Sequence, residues 1–151
     1  MQTRRSMFQR SLAVAGMLAA SGLFPELAHA YRNAAFRART VQDAIEALGG
    51  SAPVESRDLA ISGPDIAENG ADVPLGVRTT LAGVTRLLIL VEKNPSTLVA
   101  VFNTSDAVDA DFAIRVKMGR SSDVYAVAMT ADGQAFFARR EVKVTLGGCG
   151  G

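Results

Sequence analysis

The chain has no tryptophan, and its 151 residues include only one cysteine and one histidine. One cysteine cannot form an intramolecular disulfide, and a single chain of this composition cannot assemble the common cysteine-rich or histidine-rich zinc sites. The formal net charge is only +1. The chain therefore lacks the basic excess that neutralises a row of phosphates, which argues against a nucleic-acid binder. Its length predicts one globular domain.

The first thirty residues have the three-part pattern of a secretory signal peptide. Basic residues Arg4, Arg5 and Arg10 precede an apolar run over residues 12–24, and residues 28–30 (Ala-His-Ala) form a small-residue cleavage site. A membrane anchor is the alternative, but a span needs about 20 apolar residues and this run has 13. The pattern predicts that residues 1–30 are an export signal that is cleaved off.

The adjacent arginines Arg4 and Arg5 also resemble a twin-arginine signal, which exports already folded proteins. The fit is imperfect, because the phenylalanine expected two places after the second arginine is Met7, and Phe8 comes one place later. The general secretory route therefore stays open beside the twin-arginine route.

Cleavage after Ala30 would remove the only histidine, His29. The remaining 121 residues carry 13 basic and 14 acidic side chains, since three arginines and Glu26 leave with the signal. A chain without histidine lacks Ser-His-Asp and Cys-His nucleophile machinery. We therefore do not expect a self-sufficient hydrolase.

One short helix is predicted over residues 41–48. Thr40 is its N-cap, apolar residues recur at helical spacing, and Gly49 and Gly50 end it. Such a short helix needs packing to be stable, and we expect it to cover the edge or end of a sheet.

From Pro53 onward, about seven short β-rich segments alternate with turn residues. This pattern predicts an all-β fold, an immunoglobulin-like antiparallel β-sandwich with one short N-terminal helix, and a closed barrel is the alternative. Asp132-Gly133 predicts a hairpin between the last two strands, and broken alternation predicts a β-bulge near Arg139. The predicted strand segments are 54–61, 73–81, 86–91, 98–102, 112–117, 124–130 and 134–145.

Two of these segments, 86–91 and 98–102, are apolar on both faces. Such strands fit the covered core of a sandwich. Alternatively, one face could be buried by a second protein, since a large exposed apolar patch would otherwise favour aggregation.

The last five residues are Gly147, Gly148, Cys149, Gly150 and Gly151. Glycine samples both signs of φ, so we expect a flexible, sterically bare arm. Residues 147–149 could reach roughly 10 Å past the last strand. A single thiol on such an arm suits a covalent carrier that visits several active sites.

We do not expect the arm to activate its own thiol. No lysine, arginine or histidine lies within five residues of Cys149, and the chain-terminal carboxylate disfavours a nearby thiolate. Activation is therefore expected from partner enzymes. Prenylation does not fit, because Cys149 is third from the end and is followed by glycines. A buried cysteine fits the glycine-rich terminus poorly, whereas an intermolecular disulfide stays possible in an oxidising compartment.

Together these residues resemble the SoxY family, the carrier subunits of the bacterial thiosulfate-oxidising Sox complex. The sequence departs slightly from the family pattern at Gly83 and at Thr79-Thr80. These departures leave the position of the partner surface undetermined, and none of them lies in the tail. The resemblance covers the chain after the signal and rests on five segments: 66–70 (Ile-Ala-Glu-Asn-Gly), 73–75 (Val-Pro-Leu), 94–95 (Asn-Pro), 142–145 (Val-Lys-Val-Thr) and 147–151.

The resemblance implies a non-catalytic periplasmic carrier without cofactor or metal, which forms a heterodimer with SoxZ. It implies three parts: the signal 1–30, a β-sandwich domain 31–146 and the carrier tail 147–151. Cys149 would bind sulfur intermediates covalently. SoxAX, a haem c enzyme, would attach thiosulfate, SoxB would release sulfate, and in some systems a molybdenum-containing sulfane dehydrogenase would oxidise the remaining sulfur. Neither nucleic acid nor, after signal cleavage, a membrane is expected as a partner.

Two other classes of protein are consistent with parts of the sequence. A carrier that works through a C-terminal thiocarboxylate also ends in Gly-Gly, but it needs cytoplasmic ATP-dependent activation, which the export signal opposes. An exported immunoglobulin-like structural or interaction module would have no need of the terminal thiol.

Overall fold

The computed structural model describes residues 25–145. By its internal contacts the chain divides into two units, residues 1–33 and 34–151. Helix α1 (Pro25–Arg37) was not predicted, and it begins inside the segment assigned to the signal. Within the described residues, no helix is long and apolar enough to cross a membrane. Helix α2 (Val41–Ala47) follows.

Nine strands make up the rest of the described chain, seven of them longer than two residues. They form two sheets, with the order β1-β9-β8-β5-β6 in the larger one, where β3 also pairs with β9, and β2-β4-β7 in the smaller one. The strands are β1 (Val54–Glu55), β2 (Leu59–Ser62), β3 (Ile66–Ala67), β4 (Val73–Thr79), β5 (Val84–Val91), β6 (Leu98–Asn103), β7 (Asp111–Val116), β8 (Ser122–Thr130) and β9 (Ala135–Val144).

The two sheets pack face to face around a shared apolar core. Val73, Leu75 and Val77 of β4 are buried as predicted, and they pack in one cluster with Leu87 and Ile89 of β5. The sandwich is confirmed, and the barrel alternative is wrong, because β6 and β7 pair with one neighbour only and leave the sheets open. The long strands pair antiparallel, whereas the two-residue strands β1 and β3 pair parallel to β9.

Helix α2 begins where the sequence predicts. The Thr40 hydroxyl accepts a hydrogen bond from the Asp43 amide at 3.0 Å. The helix ends at Ala47, one residue before the predicted end, with Leu48 as its C-cap, and Gly49 adopts a φ of 83°. The helix covers a face of the larger sheet and not its edge or end, because Ile45 belongs to a buried cluster that includes residues of four strands of that sheet.

Strand β5 has a covered surface on both sides. Leu87 and Ile89 face the smaller sheet, whereas Leu88 and Leu90 belong to the cluster beneath α2, and all four are fully buried. The core interpretation is therefore confirmed for β5, which needs no second protein to cover it. The residues of β6 from Val99 to Phe102 are only half-buried.

The hairpin of β8 and β9 is confirmed, with Gly133 at a φ of 85° in its turn. The bulge near Arg139 is wrong, since the pairing runs without a shift from Met129↔Ala135 to Ser122↔Val142. Alternation looked broken because Arg140 occupies a core-facing position. Its guanidinium reaches Asp65 at 2.7 Å, and the strand needs no bulge to place it.

Candidate functional site

The predicted site residues, Cys149 with Gly147, Gly148, Gly150 and Gly151, lie outside the described residues. The structure does show how the chain is held where it leaves the sandwich. Strand β9 ends at Val144, and Thr145 is the last described residue. Cys149 follows four residues later.

The end of β9 is hydrogen-bonded on both of its edges. On one edge, the Lys143 amide donates to the Asp65 carbonyl at 2.9 Å, and the Thr145 amide donates to the Ala67 carbonyl at 3.1 Å. On the other edge, the Ser121 hydroxyl accepts from the Val144 amide at 2.8 Å. The position from which the last residues depart is therefore fixed by the backbone as far as Thr145.

The 66–70 segment connects this strand end to the chain after β7. The Asn69 side chain accepts from the Ala71 amide at 3.0 Å, which closes a local turn. Directly beside it, the Gly70 carbonyl accepts from the Met118 amide at 2.6 Å. The preceding residue, Lys117, has its carbonyl bonded by the Asn94 side chain at 2.8 Å.

Four of the five segments that carry the resemblance thus lie at one end of the sandwich. Segments 66–70 and 142–145 pair directly, Ile66 with Lys143 and Ala67 with Val144. Segment 94–95 is tied to Lys117, and 73–75 opens β4 just after the turn. We call this region, together with residues 117–121, the strand-end site.

Two ion pairs lie at the strand-end site. Arg140 contacts Asp65 at 2.7 Å and Arg115 contacts Asp72 at 2.6 Å. The hydrogen bond from Arg115 to Asp72, reinforced by the negative charge of that carboxylate, raises the pKa of Arg115 above its ordinary value. Because both cations have carboxylate partners, they contribute little net charge.

Three further cations, Lys117, Arg120 and Lys143, are exposed on the segments that meet at this site. Within residues 25–145, none of them has a carboxylate within ion-pair distance. Glu68 of segment 66–70 is also exposed and, within the same residues, is not in an ion pair, so these three cations exceed it and the site carries a net positive charge close to where the chain departs. Such charge attracts anions, although screening by salt weakens the attraction at exposed positions.

The described residues contain no cluster of three or more histidine, cysteine, aspartate or glutamate side chains that could hold a metal ion. A shallow, open depression of about 820 Å³ lies on the outer face of the smaller sheet, lined by small residues such as Gly63, Pro74 and Ala113. Its one charged lining residue is Arg115, which already pairs with Asp72.

Sequence reasoning missed Asp65, Ser121 and Arg140 at this site. Asp65 accepts from the Lys143 amide and from the Arg140 guanidinium, Ser121 accepts from the Val144 amide, and no sequence pattern around either residue indicates these contacts. Arg140 could have been noticed as a charge at an apolar position of an alternating strand, but its partner is 75 residues away.

Comparisons with known proteins point in one direction. The family model for sulfur oxidation protein SoxY matches residues 45–149. The solved structure of the sulfur carrier protein SoxY from Chlorobium limicola f thiosulfatophilum is 37% identical, with a TM-score of 0.64 over 71% of this chain and 97% of that chain. No curated protein sequence matches.

A second solved structure, superoxide reductase (neelaredoxin) from Ignicoccus hospitalis, is 16% identical, with a TM-score of 0.48 over 58% of this chain and 80% of that chain. Only the first of the two structures bears on function.

Proposed function

Because the chain belongs to the SoxY family of sulfur oxidation proteins, we propose that it carries sulfur intermediates covalently on Cys149. The observation that carries this proposal is the family match, which extends over the sandwich and ends on Cys149. The 37% identity to a solved sulfur carrier protein supports it. The carrier acts in the periplasm in a complex with SoxZ, the partner implied by the family.

The geometry of the strand-end site suits a carrier. Thr145 is held by the sheet, and four peptide units lead from it to Cys149. Extended, they span at most about 14 Å. The thiol can therefore enter the cleft of a partner enzyme while the sandwich stays outside, and the flanking glycines add no side chains that would clash.

The charge of the site suits the cargo. Thiosulfate and the adducts derived from it are anions, and Lys117, Arg120 and Lys143 supply exposed positive charge near the departure point. This charge favours the approach of an anion and the retention of an anionic adduct near the sandwich. The effect is electrostatic and should weaken as salt concentration rises.

The loading step is an oxidation. The Cys149 sulfur forms a bond with the outer sulfur of thiosulfate, a proton leaves the thiol, and two electrons pass to the haem enzyme SoxAX. In the unloading step, water attacks the terminal sulfonate group under catalysis by SoxB, sulfate and protons leave, and a persulfide stays on Cys149. A sulfane dehydrogenase, where present, oxidises that remaining sulfur. The carrier itself supplies the thiol to which the sulfur is attached, and its partner enzymes catalyse the reactions.

Delivery to the periplasm rests on residues 1–30. Changing Arg4 and Arg5 together to lysine should block export if the route is the twin-arginine one. Fractionation of cells that express the variant measures this. Undiminished export of the lysine variant would assign the protein to the general secretory route and leave the carrier function untouched.

The carrier function is tested by intact mass spectrometry of protein isolated from cells grown on thiosulfate. The expected result is a mass increase that maps to Cys149, that a reductant removes, and that Cys149→Ser abolishes together with thiosulfate oxidation. Val54→Ser, a change at an exposed residue of β1, is the control that should keep both. An unmodified Cys149 together with full thiosulfate oxidation by Cys149→Ser would leave an exported interaction module as the better interpretation.

A relocated thiol tests the arm. In a Cys149→Ser background, Thr145→Cys places the cysteine at the position that the sheet holds. This double variant should react with a small alkylating reagent but should not restore thiosulfate oxidation, because a fixed thiol cannot enter an enzyme cleft. Restored oxidation would show that a free arm is unnecessary.

A further inference from the structure

The two ends of the sandwich carry charge of opposite sign. At the strand-end site, the exposed charged side chains that have no ion pair within residues 25–145 are Lys117, Arg120, Lys143 and Glu68. Three cations therefore stand against one carboxylate. The adjacent loop between β5 and β6 adds one charge of each sign, at residues 92–93, and leaves this excess unchanged.

The opposite end of the sandwich is acidic. The loop before β2 lies there, because the Asp58 carbonyl accepts from the Thr80 amide at 3.0 Å. The loop after β6 joins it, because the Ala110 carbonyl accepts from the Thr79 amide at 3.0 Å. The turn between β8 and β9 lies at the same end, since β8 begins at the strand-end site and runs away from it. The exposed charged residues of these three loops are Arg57, Asp58, Asp106, Asp109 and Asp132, one cation against four carboxylates.

Hydrogen bonds hold the cationic loop 117–121 beside the base of the tail. The Met118 amide donates to the Gly70 carbonyl at 2.6 Å, and the Ser121 hydroxyl accepts from the Val144 amide at 2.8 Å. These two bonds lie on either side of Arg120. The backbone that carries this cation is therefore positioned before any partner arrives, which lowers the entropic cost of docking.

Two of these cations are free to take a new partner. The arginines of the site that face Asp65 and Asp72 are already paired, whereas Lys117 and Arg120 have no side-chain partner within the described residues. Lys143 shares its face of β9 with Glu141, which offsets part of its charge. Lys117 and Arg120 therefore supply most of the free positive charge.

Distance indicates what this charge acts on. When the arm is extended, Cys149 lies at most about 14 Å from Thr145. Salt at physiological concentration screens exposed charges beyond about 8 Å. The cations therefore act weakly on a thiol deep inside a cleft, but they lie directly against the protein surface around the mouth of that cleft.

We propose that Lys117 and Arg120 dock the carrier on an acidic rim around the cleft of the enzyme that receives the arm. The inference rests on the proposed function and names the chemistry of the partner surface. Carboxylates on the rim attract the strand-end site and repel the acidic opposite end, so the carrier arrives with its tail toward the cleft. This orientation is required, because β9 has ten residues and is about 33 Å long, more than the arm can span from the far end.

The rate of loading tests the docking surface. The chain, in complex with SoxZ, is loaded by SoxAX with thiosulfate, with oxidised cytochrome c as the electron acceptor, and intact mass spectrometry follows the adduct. Lys117→Gln combined with Arg120→Gln should lower kcat/KM for the carrier about tenfold at low salt. The loss should arise from a higher KM for the carrier with kcat unchanged, since the two cations act on docking and not on the chemistry.

Arg57→Gln combined with Arg78→Gln is the matched control. Both arginines are exposed at the opposite end, so this variant removes the same charge far from the tail. It should keep kcat/KM within about twofold of the unsubstituted chain, because rim charges act mainly where they meet the partner. Thermal unfolding checks that both double variants are folded. The difference between them should shrink as salt rises from about 20 mM to about 0.5 M, because screening removes the contribution of the two cations.

Three outcomes would overturn the proposal. Equal losses in the two double variants would mean that net charge controls loading. An unchanged kcat/KM in Lys117→Gln with Arg120→Gln would mean that these cations do not dock the carrier, and a loss confined to the KM for thiosulfate would mean that they act on the cargo. If SoxAX does not load the unsubstituted chain at all, the proposed function itself is wrong and this inference falls with it.

Discussion

At the residue scale, the turn between β8 and β9 depends on two side chains, one backbone carbonyl and one glycine. The Thr130 hydroxyl donates a hydrogen bond to the Asp132 carboxylate, and Gly133 takes the positive φ that closes the turn. The Thr130 amide in turn donates to the Gln134 carbonyl at 3.0 Å. The turn brings β9 back beside β8, and so it orients the strand that ends at the strand-end site.

The hydrogen bond from Thr130 lowers the pKa of the Asp132 carboxyl below its ordinary value. A carboxyl with a lower pKa in the folded state stabilises the fold above its unfolded-state pKa, and this stabilisation is lost as the pH falls through the folded-state pKa. We expect Thr130→Val to raise the pKa of Asp132 toward the ordinary value. A carbon-13 NMR titration of the Asp132 carboxyl measures this, and an unchanged pKa in the variant would show that the hydroxyl is not the cause.

At the element scale, helix α2 shows how a seven-residue helix is kept in place. Too short to be stable alone, it is held by its Thr40 cap and by packing of Ile45 on the larger sheet. Loss of either contact should therefore appear in the unfolding of the whole domain and not as local fraying alone.

Thr40→Ala should lower the free energy of unfolding by about 1 kcal/mol, because it removes the acceptor for the Asp43 amide. Thr80→Ala is the control, since within the described residues the exposed Thr80 side chain makes no hydrogen bond. Urea denaturation measures both. Equal stability of the two variants would mean that the cap contributes nothing measurable.

The helices and strands also show which parts of the fold the sequence could predict. Helix α2, the long strands and the β8–β9 hairpin follow from local periodicity and turn residues, so local sequence patterns were sufficient to predict them. The single strand predicted over 54–61 is wrong, because the segment divides into β1 and β2, which belong to different sheets. Strand β3 was not predicted. Strands β1 and β3 have two residues each and no periodicity, and they form by pairing along the outer edge of β9. The β-bulge near Arg139 was predicted wrongly because Arg140 is a charged residue at a core-facing position. Its partner Asp65 is too distant in sequence for the pattern to reveal it.

Composition and the neighbouring glycines predict Cys149 as the site, and this stays a prediction because Cys149 lies outside the described residues. The fixed base of the tail could not be found in this way. It arises from backbone bonds between segments 65–67, 121 and 142–145, which become neighbours only once the sandwich has formed.

At the scale of the whole molecule, the described domain has three layers, with the larger sheet in the middle. The smaller sheet packs on one face of β5 and helix α2 covers the other, so the fold has two separate apolar clusters. Leu75 belongs to the cluster between the sheets, and Leu88 belongs to the cluster beneath the helix.

Leu75→Ala and Leu88→Ala should each cost about 2–5 kcal/mol of unfolding free energy, because both side chains are fully or almost fully buried. The double variant should lose the sum within about 0.5 kcal/mol, since the two side chains share no cluster. Chemical denaturation measures all three variants. A clear departure from the sum would show that β5 couples its two faces.

The bonding of β9 on both edges also has a mechanical consequence. If Cys149 carries sulfur as proposed, an enzyme that takes the tail into its cleft can pull along the axis of β9, whereas the hydrogen bonds of the strand run across that axis. A pull in this direction loads the bonds to β3, β8 and Ser121 together, in shear, so that none of them breaks alone. A carrier of this kind can therefore be pulled repeatedly by its last residues without β9 detaching from the sheet.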